Sequence, residues 1–438
     1  MPDIIQIREY ASITCDQSQT RSLNLGVVSP ATFNWLLELQ ARWKGRAQLL
    51  EIEGKQRLKI CSYVGFLRSP TGEEIEILPK TQQHEFSDPG ELDGCRGLLF
   101  NMLLVAMHLK PREAESAQLR RTDAPVHEWV IQCFLAELKQ LINRGLRFDY
   151  QAVEEESRFI RGQINLARQS RQTPDRATWF HIQHNIYSPQ RRENRLLKTA
   201  LDYALKLTKS SDNWRLANEL AHQLITIEAY QQPMQELPRW QSSKLMKGYD
   251  AIKPWCELIL EQLNPSFQQG QHEGVALLFA MERLFEEYVS HCLRGSLHSS
   301  ARLKTQAASK YLLRHQPRET EQVSNWFQLK PDLLLETKQQ CSVLDTKWKL
   351  LNDMHNTSEH KYGIKQSDIY QLYAYGHKYM QGQGDMMLIY PRHSAFDEPL
   401  PVFSFDERLH LWAVPFDLKT QQLVPGEWQQ AFSQMLIQ

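Results

Sequence analysis

The sequence predicts a multidomain α/β protein. It has a β-rich N-terminal region over residues 1–94, a mainly helical middle over 95–264 and a C-terminal α/β/α domain over 265–438. The length is the first observation behind this: 438 residues leave room for two to four domains at roughly 100–200 residues each, and each could bury a core. The second is a change of apolar period along the chain, from short strand-like runs to three-to-four spacing and back. The third lies toward the C-terminus, where a helical run, two short apolar runs around a polar turn and a second helical run follow one another.

In the first region, LLEIEGKQRLKICSYVGFL (49–67) and EEIEILPK (73–80) read as strands punctuated by Gly54, Pro70 and Gly72, after an apolar helix from Ala31 to Trp43. HEFSDPGELDG (84–94) reads as a loop. The apolar run from Gly97 to Met107 is broken by Asn101, too short to span a membrane, and reads as a buried helix. In the middle region, VHEWVIQCFLAELKQLI (126–142) sets Trp129, Cys133, Leu135, Leu138 and Ile142 on a helical core face, with Gly145 as its stop. ENRLLKTALDYALKLTK (193–209) is a second helix of this kind. Between them lies an arginine-rich stretch that includes Arg158, Arg161, Arg168 and Arg176; on charge alone, ion pairs to Glu154, Glu155 and Glu156 are favoured over a phosphate-contacting surface. LNPSFQQGQHEG (263–274) reads as a linker. A helix over 275–293, a basic stretch to Arg318, strands at about 326–336 and 341–349, a helix over 368–380 and the strand MMLIYP (386–391) complete the reading.

Composition narrows the function classes. A 42% hydrophobic and 23% charged chain is ordinary for a globular protein, and a net charge of zero means that any surface for a polyanion must be local. The seven cysteines are scattered and form no C-x-x-C pair, which argues against a disulfide framework or a zinc site and fits a reducing cytosol. The opening MPDIIQIREY carries Asp3, Arg8 and Glu9 and fits no signal-peptide core, so a cytoplasmic location is expected. No G-x-x-x-x-G-K-[ST] occurs; Gly54–Lys55 is followed by Gln56, and no nucleotide is expected on this chain itself. No base-reading motif such as paired zinc fingers is evident.

The chemistry concentrates in KPDLLLETKQQCSVLDTKWKL (330–350). Side chains alternate faces along a strand, so Asp345 and Lys347 point one way while Leu344, Thr346 and Trp348 point toward a core. A turn through Thr337–Gln340 brings Asp332, just after Pro331, beside Asp345. Two carboxylates and an ammonium converging on one spot suit phosphodiester hydrolysis. Carboxylates hold Mg2+, the metal activates water and neutralises phosphate charge, and the lysine orients the water. A D-x-K alone is better read as a solvated hairpin. P-D followed thirteen positions later by D-x-K, among apolar strand residues, favours the site. The run 293–318 adds Arg294, Arg302, Lys304, Lys310, Arg314 and Arg318 without an acid, which suits contact with a DNA backbone; a solvated loop is the alternative.

This arrangement resembles the PD-(D/E)xK nuclease core, in which a helix precedes the hairpin and another follows. The resemblance implies a restriction-endonuclease-like α/β/α domain with Asp332, Asp345 and Lys347 as catalytic residues. It implies metal contacts from Asp332, Asp345 and Thr346, with Glu286 of the preceding helix as a further carboxylate and Glu282 and Glu287 as its rivals. Gln371 and Tyr375 resemble the Q-x-x-x-Y element of RecB-like nucleases and, with Arg302, Lys304, Lys310 and Arg314, form the expected DNA contacts; core packing competes as the reading of Tyr375. Over nearly the full length, IREYASI (7–13), IEILPK (75–80), RGQINLARQ (161–169), ENRLLKTAL (193–201), MERLFEEYV (281–289) and SDIYQLYAY (367–375) resemble, in order, the McrC family, the nuclease subunits of McrBC-type modification-dependent restriction systems. That resemblance implies Mg2+ as cofactor with Mn2+ as a substitute. It also implies an McrB-like AAA+ NTPase hexamer as partner, bound through the N-terminal part and stimulated, methylated double-stranded DNA as substrate, and pairing of nuclease copies. A stand-alone repair or recombination nuclease and a non-catalytic activator or scaffold are the rival readings. The long N-terminal half argues against the first and the intact Asp332, Asp345 and Lys347 against the second.

Overall fold

The short apolar runs at the start of the chain do form strands, because each has one face to bury. In the computed structural model, which describes residues 4–43, 48–81, 89–106, 124–242, 246–262, 274–318 and 322–437, β1 (Ile5–Arg8), β2 (Ser12–Thr14) and β3 (Leu25–Val27) come first. The helix α1 (Pro30–Arg42) follows, capped by Ser29, and then β4 (Leu50–Gly54), β5 (Arg57–Ile60), β6 (Tyr63–Arg68) and β7 (Glu74–Leu78). They build one sheet in the order β3-β2-β5-β4 and a second that begins β1-β7-β6. Every residue of β7 is buried, Glu76 included. Its carboxylate is satisfied by a two-pronged ion pair with Arg96 of α2 (Pro89–Ala106), at 2.5 and 3.1 Å. The expected loop 84–94 is therefore corrected from Pro89 onward, since Pro and Gly sit in a first helical turn whose N–H groups have no partner inside the helix. Residues 84–88 lie outside the described ones.

The chain groups into two compact units rather than three successive regions: Met1–Asp123 with Leu278–Gln438, and Ala124–Leu277. The second unit is framed by α3 (Val126–Arg144), α4 (Arg192–Leu207), α5 (Ser211–Gln223) and α6 (Lys247–Gln262). Trp129 of α3 meets Trp255 of α6 edge-on at 5.6 Å, and Gly145, at φ 93°, ends α3 as expected. Glu128 is buried yet fully used: Thr208 Oγ1 donates at 2.6 Å, the Lys209 N–H at 2.5 Å and Asn213 Nδ2 at 2.8 Å. The arginine-rich stretch runs through a small sheet of β8 (Asp149–Ser157), β9 (Gln163–Ile164) and β10 (Phe180–Ser188) in the order β8-β10-β9, with Arg168 and Arg176 in two short helical turns between strands, Leu166–Gln169 and Pro174–Arg176. Glu154 and Glu156 pair with Arg168 and Arg176 at 2.7 Å each, while Tyr150, Tyr187, Phe159, Ile160 and Leu166 face solvent.

The expected linker lies, but for Gly274, outside the described residues. The helix expected over 275–293 begins late. VALLFA forms β11 (Val275–Ala280), which joins β6 as a fourth strand, and α7 (Met281–Gly295) starts only at Met281, whose N–H donates to Ser62 O at 3.1 Å. An apolar run of six residues fits a buried strand and a buried helix equally well, and only its neighbour settles the choice. Then come β12 (Arg302–Thr305), β13 (Lys310–His315), β14 (Ser324–Leu329), β15 (Leu333–Glu336), β16 (Cys341–Thr346), α8 (Gln366–Met380), β17 (Gly384–Pro391), β18 (Phe403–Ser404), β19 (Leu409–Asp417) and β20 (Gln422–Leu423). Seven of these strands form one sheet in the order β12-β15-β16-β17-β19-β18, with β20 beside β19. The expected strand 326–336 is divided at Pro331: β14 pairs with β13 alone, and β15 joins the large sheet.

The β15–β16 hairpin is antiparallel, and β16, β17 and β19 run parallel. A parallel pair needs a crossover, and α8 supplies the one between β16 and β17. Gly376 permits its close approach: a Cβ there would lie 2.8 Å from Leu409 Cδ2. Tyr375, Leu372 and Met380 of α8 enter the core with Val343, Met386, Leu388 and Leu411.

One polar contact crosses the first unit. Glu9, just after β1, is wholly buried; its Oε1 accepts from Trp348 Nε1 at 2.6 Å and from the Lys80 N–H at 2.8 Å, and Oε2 has no donor among the described residues. Burial pushes this carboxyl up to about 8, against the two hydrogen bonds that favour its charge. A folded-state value above the unfolded one means that unfolding releases a proton between the two, so this group makes stability fall as pH rises from about 4.5 to about 8. Glu9→Gln keeps both acceptor bonds and removes the charge. It is expected to raise the melting midpoint at pH 8.5 by at least ~2 °C and to leave it near the parent's at pH 5, in thermal melts by circular dichroism.

Candidate active site

The antiparallel register that pairs Leu333 with Leu344 continues to Asp332 opposite Asp345, so the hairpin sets the two acids side by side at the end of β16. Asp332 is fixed by its neighbour strand: its Oδ2 accepts from the Thr346 N–H at 2.9 Å and from Thr346 Oγ1 at 3.0 Å. This corrects one expectation, since Thr346 is not simply a core-facing residue; its hydroxyl turns to hold Asp332. Trp348 does face the core, edge-on to Phe285 at 5.3 Å.

Asp345 is 1% exposed, and Lys347 Nζ lies 2.6 Å from its Oδ2. Asp345 Oδ1 is buried with no hydrogen-bond donor among the described residues. Burial first, then the charge of Asp332, push the Asp345 carboxyl up to about 7, against the pull of Lys347. Burial works to lower the Lys347 ammonium, but Asp345, Asp332 and Asp368 outweigh it and hold the group above its ordinary value. Lys347 therefore stays a cation at neutral pH. Glu286, on α7, is likewise pushed up to about 7 by burial and then by Asp332, and its Oε1 accepts from Gln306 Nε2 at 3.1 Å. Of the three glutamates weighed on this helix, Glu286 feels Asp332 directly, Glu287 adds its charge to Glu286, and Glu282 acts on Glu9 and Tyr10.

The helix α8 closes the site. Tyr375 is buried, its hydroxyl accepts from the exposed Gln371 Nε2 at 2.7 Å, and burial with the nearby Asp345 and Asp332 raises its pKa. The ring of Tyr375 packs in the core, as the competing reading expected, and its oxygen senses the acids. Sequence reasoning missed two residues here. Asp368, in the first turn of α8, adds negative charge at Asp345 and Lys347, and Gln306 joins Glu286 to Asp332, whose carbonyl accepts the Gln306 N–H at 2.8 Å. An acid at the start of the helix after a D-x-K hairpin was a readable signal for the first; nothing marked Gln306.

The cations expected to meet DNA are dispersed. Lys304 is held by Glu336 at 2.5 Å, Arg302 is exposed on the same strand β12, and Lys310 and Arg314 are exposed on the separate β13–β14 ribbon.

A divalent cation fits the acids in part. Among the described residues no three acidic, histidine or cysteine side chains gather into a complete cage. Mg2+ does not require one: it keeps several waters and binds through one or two carboxylates plus substrate phosphate. Two adjacent carboxylates, one with a buried oxygen that lacks a donor, match that donor set, and the raised Asp345 value measures how poorly the site tolerates its own charge without a counter-cation.

A family model for a McrBC 5-methylcytosine restriction system component matches residues 58–391, which include all of these site residues. Among solved structures, the chain is similar to one from the refined half-complex of the tetradecameric assembly of Thermococcus gammatolerans McrB AAA+ hexamers with bound McrC, at 18% identity and a TM-score of 0.66 over 98% of each chain. It is also similar to a chain of the cryo-EM structure of the Thermococcus gammatolerans McrBC complex, at 19% identity and a TM-score of 0.50 over 67% of this chain and 87% of that one. No curated protein matches. No helix among the described residues is long and apolar enough to cross a membrane.

Asp345→Asn removes the buried charge and keeps the shape. Without metal at pH 8 the variant is expected to melt above the parent; if the acids hold a divalent cation, millimolar Mg2+ or Mn2+ should raise the parent's midpoint in differential scanning fluorimetry and leave the variant's unchanged.

Proposed function

The chain belongs to the family of McrBC 5-methylcytosine restriction system components, and on that footing we propose that it is the Mg2+-dependent endonuclease subunit of a modification-dependent restriction complex. The observation that carries this reading is the buried Asp345 carboxylate, with Lys347 at 2.6 Å and Asp332 tied beside it by Thr346. An antiparallel hairpin followed by parallel strands, flanked by α7 and α8, supports the PD-(D/E)xK assignment of this half of the first unit.

Asp345 and Asp332 would hold the cation, with Glu286 behind them. When bound, Mg2+ supplies a polarised phosphate and a water of lowered pKa. The chain's own residues do the rest. Lys347 is too firmly protonated to take a proton, so its part is to hold the attacking water and offset charge on the phosphate oxygens. Asp345 fixes the ammonium within hydrogen-bonding distance, which spares the orientation penalty at the moment of reaction. Trp348, held by Glu9, keeps the end of the strand from swinging.

The partner we propose is an AAA+ motor like McrB, stimulated by this chain and itself the reader of methylated DNA. The second unit exposes Tyr150, Tyr187, Phe159, Ile160 and Leu166 around its small sheet, an apolar surface suited to a protein partner. The N-terminal sheets, expected as the docking region, remain the other candidate.

Purified with an AAA+ partner, Mg2+, nucleotide and methylated plasmid, the parent is expected to cut. Asp345→Ala and Lys347→Ala should each lower cutting by ~10²-fold or more while leaving stimulation of the partner's NTPase intact. Unchanged cutting by Asp345→Ala would sink the site. Full cutting by the chain alone would favour the stand-alone nuclease instead.

A further inference from the structure

The ribbon β13–β14 belongs to neither neighbouring sheet. All six residues of β13 and five of the six of β14 are exposed. A two-stranded ribbon wet on both faces is marginal in water, yet this one displays Tyr311, Leu312, Leu313, Trp326 and Phe327 to solvent. Its strands contain Lys310, Arg314 and His315 and no acid, and neither Lys310 nor Arg314 has an acidic partner among the described residues. Lys310 and Arg314 share one face by alternation; Tyr311, Leu313 and His315 share the other, where Trp326 meets the His315 ring edge-on at 4.5 Å.

Both roots of the ribbon enter the candidate site. The chain enters β13 from Gln306, whose side chain donates to Glu286 and whose N–H donates to Asp332 O. It leaves β14 through Lys330 and Pro331 into Asp332. Tyr379 of α8 clamps the two roots together, its single hydroxyl proton shared between Ala307 O at 2.5 Å and Leu329 O at 3.0 Å.

We propose that this ribbon is an arm that grips duplex DNA beside the phosphate to be cut, with Lys310 and Arg314 on the backbone and the Tyr311–Leu313–Trp326 face turned into a groove. The inference rests on the nuclease reading above and adds to it which element holds the substrate. Six-residue strands span ~20 Å, and a two-stranded ribbon is of a width that the major groove admits. Cations without acids complement a polyanion. The connection to Gln306 and Asp332 means that DNA seated on the arm is delivered to the acids without an intervening hinge domain.

The test reads binding without cutting. The full chain, in EDTA, is titrated onto a fluorescein-labelled duplex across a salt series and followed by anisotropy. Lys310→Ala/Arg314→Ala is expected to make the negative slope of log affinity against log salt shallower by about 2 and to weaken binding about tenfold near ~0.1 M salt. Trp326→Ala is expected to weaken binding with the slope unchanged, and all variants should keep the parent's circular dichroism. Unchanged affinity and slope in the double variant would overturn the proposal, as would a parent that binds no duplex at low salt. Loss of self-association by light scattering, with duplex affinity intact, would also overturn it and make the ribbon a contact between copies. Because the assay needs no divalent cation, it is independent of Asp345; a failure of the nuclease reading would appear as retained cutting by Asp345→Ala.

Discussion

The Asp345–Lys347 pair is the constraint around which the first unit is arranged. A carboxylate at the inner end of a central strand, 1% exposed, can keep its charge only if something positive is fixed close to it. Lys347 does this from two residues further along, just past the end of β16 and more exposed than its partner. The compensation is incomplete, because Asp332, Asp368 and burial all push the other way and the carboxyl stands near neutrality. A site built only for stability would have placed an apolar residue here. Retaining a charge that the fold tolerates poorly is what a centre waiting for a cation and a phosphate would require.

Holding that pair falls to elements far apart in sequence. Trp348 follows Lys347 directly and is anchored to Glu9, so the first strand of the chain steadies the residue beside the candidate catalytic lysine. Glu286 reaches in from α7, whose first N–H is bonded to Ser62 of the N-terminal sheets. On the other side α8, brought near β19 by Gly376, sets Tyr375 and Asp368 toward the acids. The N-terminal strands and the D-x-K sheet are thus one body around one spot, which is why a division of the chain by composition alone separates what the fold joins.

Legibility in the sequence followed the range of the forces. The hairpin register of β15 and β16 is local, and alternation over a few residues was enough to set Asp332 beside Asp345 and Lys347 next to Asp345. Helices with a clean three-to-four period, such as α3 with its Gly145 stop, were legible for the same reason. VALLFA was not, because an apolar hexamer takes its state from its partner, here β6, more than two hundred residues earlier. The small sheet β8–β10 escaped because most positions on both its faces are exposed, apolar ones such as Tyr150 and Tyr187 included, which leaves no buried-to-exposed alternation to read. Glu9 escaped as well, since an acid in a polar opening reads as surface, and only the distant Trp348 makes it a buried acceptor.

On the nuclease reading, the same geometry suggests how such a chain would avoid indiscriminate cutting. Without cation and phosphate, the Asp345 carboxyl sits near the balance between its charged and neutral forms, and the neutral form is a poor ligand for Mg2+. On the nuclease reading, Asp345 and Asp332 would hold the cation more readily when substrate phosphate is present, since a cation favours the charged carboxylates and also binds phosphate. An arm that seats the duplex through roots at Gln306 and Asp332 would raise the local concentration of that phosphate only when DNA is engaged along its length. Brief encounters would leave the pair as it is, Lys347 facing a carboxyl that is only partly charged. Sustained presentation by a partner that holds and moves DNA would give the complete set of ligands time to assemble, which places the decision to cut with whatever feeds the arm.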